Sequence, residues 1–114
     1  MKTSSRKGKG RSLQQWVRDL IIEKFKLTSD DVRSTSMGCG GEDIQLSPVA
    51  RKKLNVSIEC KSRSRVAVYG FYEQATVNCP SGAEPVVVVK QNRCSPLCVV
   101  AAEHYFELLR KANS

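Results

Sequence analysis

Residues 38–46 read Gly-Cys-Gly-Gly-Glu-Asp-Ile-Gln-Leu, and residues 55–61, after a basic interruption, read Asn-Val-Ser-Ile-Glu-Cys-Lys. One short apolar-alternating run opens at Asp43; a second closes at Glu59 and Lys61. Side chains on a strand alternate between faces, so Val56 and Ile58 share one face while Ser57, Glu59 and Lys61 share the other. If the two runs are neighbouring strands, an aspartate, a glutamate and a lysine converge at a sheet end. Two carboxylates suit a hard, oxygen-seeking cation such as magnesium, which keeps several waters and binds through one or two carboxylates. A lysine beside them can hold a phosphate or steer an attacking water. This is chemistry for hydrolysing a phosphodiester; the plainer alternative is an exposed cross-strand ion pair.

Upstream, Leu13, Trp16, Val17, Leu20 and Ile21 fall at the spacing of an amphipathic helix, with Ser12 as its N-cap and an end near Lys26. Trp16 is read as a core anchor. Residues 1–11 are mostly Lys, Ser, Gly and Arg, with little to bury, and are expected to form a flexible basic arm ahead of a single domain over 12–114. The segment 32–41 is rich in hydroxyls and glycine. Its consecutive N–H groups, with Arg33, Ser34 and Ser36, can cradle a phosphate, whereas a plain flexible loop is the alternative. Downstream of Lys61, a helix is expected over Val66–Val77, and Asn78-Cys-Pro-Ser-Gly signals a turn. The run Pro85 to Val89 then reads as a strand buried on both faces. Leu97 to Ala101 gives another strand. A terminal helix over Glu103–Lys111 is expected to pack Tyr105, Phe106, Leu108 and Leu109 on the sheet. The order is α/β: a small single-domain sandwich with a mixed central sheet flanked by helices.

A chain of 114 residues holds one modest core. No apolar run approaches a membrane span and no secretory leader is expected, which excludes a membrane role. Five cysteines without a Cys-x-x-Cys, and one histidine, give no zinc spacing; free thiols in a reducing cytoplasm are the simplest reading. The net charge is +8, and the excess clusters at Lys7, Lys9 and Arg11 and again at Arg51, Lys52, Lys53, Arg63 and Arg65. Such clusters favour a polyanion through counterion release; a solvated basic surface is the alternative. The second cluster surrounds the Asp43–Lys61 stretch, which favours nucleic acid.

The Asp…Glu-x-Lys arrangement on strands after an amphipathic helix resembles the PDDEXK nuclease superfamily, and in pattern is similar to the Holliday-junction resolvase-like endonucleases. The resemblance spans roughly Lys7 to Val89 and rests on few positions. It implies a restriction-endonuclease-like core and a magnesium-dependent DNA endonuclease, with manganese able to substitute and no small-molecule cofactor. Asp43 and Glu59 are the implied metal ligands, with the Cys60 carbonyl as an additional one and Glu42 as a helper. Lys61 is implied to be catalytic, and Gln74, on the helix after the Glu-x-Lys strand, to position a water or phosphate oxygen. The implied partner is branched or duplex DNA, engaged by a homodimer that offers two sites to two strands. One departure stands out: Gln14 occupies the place of a helix glutamate that such resolvases carry. The amide adds no charge, so a catalytically silent DNA-binding module is the alternative function.

Overall fold

Glu84-Pro-Val-Val-Val-Val-Lys-Gln is too rich in β-branched side chains to prefer a helix, and it forms the middle strand of the sheet. In the computed structural model, which describes residues 2–35 and 41–113 and residues 2–7 by backbone alone, the elements follow in this order. They are α1 (Lys2–Phe25), β1 (Val32–Ser34), β2 (Ile44–Leu46), α2 (Pro48–Lys53), β3 (Val56–Arg63), α3 (Val68–Val77), β4 (Glu84–Gln91), β5 (Leu97–Val99) and α4 (Ala102–Ala112). Strand β3 runs parallel to β4, and β5 returns antiparallel to it, which makes a mixed sheet ordered β3-β4-β5. Parallel neighbours need a crossover connection, and α3 supplies it. Strands β1 and β2 form a separate antiparallel pair. The two sheets meet at Asp43, whose N–H donates to the Ile58 carbonyl at 3.2 Å.

Strand alternation divides the core between the two faces of the sheet. On one face Ile58, Cys60, Val86 and Val88 pack with Leu13, Val17 and Ile21 of α1 and with Val32 and Ile44 of the β1–β2 pair. On the other, Val87 and Val89 pack with Ala75 of α3, and Phe71 and Tyr72 lean on them. Ser47 caps α2 by accepting from the Ala50 N–H at 3.1 Å, and it donates to Asp31 Oδ1 at 2.8 Å, tying α2 to the start of β1. Among the described residues no helix is long and apolar enough to cross a membrane.

Several elements differ from the sequence expectation. Helix α1 runs back to Lys2, so residues expected in a basic arm continue the helix. Once the amphipathic stretch is helical, each added residue gains a hydrogen bond without a new nucleus. Trp16, expected as a core anchor, is exposed, as is Tyr69. The largest departure is α4. Its Tyr105, Phe106, Leu108 and Leu109 are all exposed, and none of its residues is buried. The reason lies in the layers: α1 and α3 already cover the faces of the sheet, and α4 follows a three-residue edge strand.

Candidate active site

Strand β3 sets the site because its alternation puts Glu59 and Lys61 on one face, beside Val87 and Val89 of β4. This is the α3 face. Glu59 is 6% exposed, and Lys61 Nζ lies 3.7 Å from its Oε2. The Lys61 ammonium also stands 5.6 Å from the centre of the Phe71 ring, whose quadrupole attracts a cation.

Asp43 reaches the same place from the edge. Just before β2, its carboxylate takes the position of a main-chain acceptor beside β3, and Oδ2 accepts from the Cys60 N–H at 2.8 Å. The N–H and C=O of one strand residue point to the same side, so the Cys60 carbonyl also projects toward this edge. The approach to Asp43 is held from behind: the Thr35 N–H donates to the Asp43 carbonyl at 2.8 Å, and the Thr35 hydroxyl donates to the Glu42 carbonyl at 2.6 Å.

The electrostatics follow from burial. Desolvation raises the Asp43 carboxyl above its usual range, against the Cys60 N–H and the Lys61 charge that pull it down. Desolvation also raises Glu59, and the Asp43 charge raises it further; Lys61 and the Asn78 side chain oppose the shift. Two carboxyls raised by burial and sharing one lysine form a locus short of positive charge. Among the described residues no three His, Cys, Asp or Glu side chains gather as a metal cage. Magnesium does not need one: two carboxylates, a carbonyl and retained waters complete its shell. The donor set at this edge, Asp43, Glu59 and the Cys60 carbonyl, fits that demand.

The other expected residues divide. Gln14 is 4% exposed on α1, between Leu13 and Val17, whose side chains pack on the face of the sheet opposite Glu59 and Lys61. Gln74 is exposed on the flank of α3. Asn78, one turn further on, is the residue whose side chain bonds to Glu59. Phe71, Ala75 and Asn78 follow at i, i+4 and i+7, so the polar residue ending this sheet-facing row was the available signal.

Arg51 turns inward instead of facing a ligand. Its guanidinium donates to both Glu42 oxygens at 3.0 and 3.1 Å and to the Val56 carbonyl at 2.7 Å. That geometry occupies Glu42 as well as Arg51. Lys53 donates to the Phe25 carbonyl at 3.3 Å, capping the end of α1, while Lys52 is exposed. Arg63 stands 6.0 Å from the Phe71 ring and, like Arg65 and Arg11, is exposed. Arg33 is exposed and pairs with Asp30 at 3.5 Å; Ser34 is half-buried on β1. Lys9 donates to Asn92 Oδ1 at 3.1 Å. Lys7 is described by its helical backbone, and Ser36 with the glycines at 38 and 40 lies outside the described residues.

Comparison with protein-family models, with curated proteins and with solved structures finds no match.

Proposed function

We propose that the chain is a magnesium-dependent DNA endonuclease with a restriction-endonuclease-like core, selective for branched DNA. The observation that carries this reading is the meeting of Asp43 and Glu59 with Lys61 at the free edge of β3. The element order, with a helix before the strands and α3 after the Glu-x-Lys strand, is in keeping with it. Bound magnesium supplies Lewis-acid polarisation of the scissile phosphate and a lowered pKa for its water. Asp43 and Glu59 hold the charge that recruits it, and the Cys60 carbonyl completes the protein's share of the shell. Lys61, fixed between Glu59 and the Phe71 ring, supplies positive charge where negative charge grows on the phosphate. Asn78 keeps the Glu59 carboxylate oriented.

The protein works as a homodimer in a reducing compartment, on this reading. The free thiols of Cys60, Cys79, Cys94 and Cys98 suit such a compartment, and the exposed apolar side of α4 is surface that a second copy would cover. The test is nicking of supercoiled plasmid, followed by a panel of four-way junctions, flaps, duplex and single strand, each with magnesium or manganese. Cleavage that survives in Glu59→Gln at the wild-type rate would refute the proposal. Binding without any cleavage by the wild type would favour a silent DNA-binding module.

A further inference from the structure

A second concave surface lies between the N-terminal half of α1 and the β4–β5 turn. It encloses about 740 Å³ and is lined by Lys9, Leu13, Trp16, Lys90, Arg93 and Pro96 among others, with no acidic side chain among its described lining residues. The volume is that of a small-ligand site. Trp16 is the only tryptophan of the chain and is 47% exposed, although its neighbours Leu13 and Val17 on the same helix are 3% and 4% exposed. Half of an indole is therefore presented to the groove rather than spent on the core. The far wall is braced by the Lys9–Asn92 hydrogen bond. Arg93 sits at φ 67°, a left-handed conformation that favours glycine or asparagine, so the turn carries a cationic side chain where an easier residue would serve.

We propose that this groove binds an unpaired nucleotide of a nucleic-acid strand, with the base stacked on Trp16 and the flanking phosphates on Lys90, Arg93 and Lys9. An apolar peptide or small apolar ligand gives no use for three cations. A duplex does not present the face of a base, because its bases are stacked on one another, whereas a single strand does. Ser62 also lines the groove, and as an even-numbered residue of β3 it lies on the α1 face, opposite Glu59 and Lys61. A strand seated in the groove therefore reaches the carboxylates only by passing around the free edge of β3. The proposal deepens the endonuclease reading and rests on it, since it names the part of a branched substrate that is held: an unpaired stretch on the face of the sheet opposite the cut.

The single tryptophan is its own probe. In EDTA, where no cleavage occurs, oligothymidylate should quench Trp16 emission saturably, and a blunt duplex should quench it far less. Anisotropy of a labelled oligothymidylate should show about tenfold weaker binding for Trp16→Ala, with Trp16→Phe recovering most of the loss. Arg93→Ala and Lys90→Ala should each lower the salt dependence of single-strand binding by roughly 0.7 in log–log slope. Binding by anisotropy without any change in emission overturns the proposal, as does equal quenching by the duplex. The endonuclease reading is judged separately: cleavage in magnesium with no quenching removes the groove and keeps the enzyme. Quenching with no cleavage in magnesium or manganese does the reverse.

Discussion

The two faces of β3 are built for different purposes. On the face toward α1, Ile58 and Cys60 join Leu13, Val17 and Ile21 in an apolar layer. The buried Cys60 thiol is driven well above its usual pKa, which makes it inert. On the face toward α3, a smaller cluster of Ala75, Val87 and Val89 shares the space with Glu59 and Lys61. One strand thus carries stability on its even-numbered residues and charge on its odd-numbered ones. Burying Glu59 costs stability in the absence of a cation, and the packing on the opposite face offsets that cost. The comparison predicts that substitutions on β3 separate by parity.

The largest effect should come from the charged face. Glu59→Gln and Asp43→Asn are expected to lower cleavage by about 10³-fold, the scale of losing one electrostatic partner of a transition state, with the far-ultraviolet circular dichroism unchanged. Next is the apolar face. Ile58→Ala should cost about 2–4 kcal/mol in urea unfolding while cleavage per folded molecule stays constant. If Ile58→Ala abolished cleavage without destabilising the chain, the division between the faces would be wrong.

A smaller effect concerns pH. Burial raises the Glu59 and Asp43 carboxyls, so the folded chain holds their protons to higher pH than the unfolded chain does. Stability contributed by these groups therefore falls as pH rises from the ordinary carboxylate range, about 4, through the raised folded values. Above those values the loss is complete. Relative to wild type, Glu59→Gln should thus be more stable at about pH 7 than at about pH 4, by less than the cost of Ile58→Ala. Thermal melts of both proteins across that range give the answer. Added magnesium should narrow the difference at neutral pH, because a cation that binds only the folded, ionised pair stabilises wild type by mass action.

How far the sequence went can be read from the same residues. The helical stripe from Leu13 to Ile21, the β-branched run at Val86–Val89 and the alternation from Val56 to Lys61 are local patterns, and each carries its structure in its own spacing. Glu59 could be placed with Lys61 because both sit at strand positions where period-2 alternation fixes direction, whereas Asp43 stands just before β2 and reaches them from the edge. What local spacing does not encode is the partner. The apolar side of α4 is as regular as that of α1, yet it stays exposed because both sheet faces were already covered. Arg51 sits in a basic run that looks like surface, but its inward turn depends on Glu42, nine residues away, and on a carbonyl of β3. Gln74 is exposed, whereas Asn78, at the C-terminal cap of α3, continues the sheet-facing row of Phe71 and Ala75 and bonds to Glu59.

The smallest predicted effect is also the sharpest test of the two-face division. Phe71 contributes apolar area to the α3-side cluster and a ring face to Lys61 and Arg63. Phe71→Leu keeps much of the apolar volume and removes the quadrupole, so it should cost about 0.5–1 kcal/mol through the lost cation–π contact. Ile58→Val, on the opposite face, should cost about 0.5–1.5 kcal/mol by deleting one buried methylene. The two variants are therefore nearly matched in stability and differ in which face they disturb. With Phe71→Leu the Lys61 ammonium loses the ring that holds it beside Glu59, so the cleavage rate at saturating magnesium should fall severalfold. With Ile58→Val the rate should stay at the wild-type value. Stopped-time cleavage assays on both, normalised to folded protein from urea titrations, make the comparison. Equal rates would mean that Lys61 is positioned by Glu59 alone and that the aromatic ring serves only to fill the smaller core.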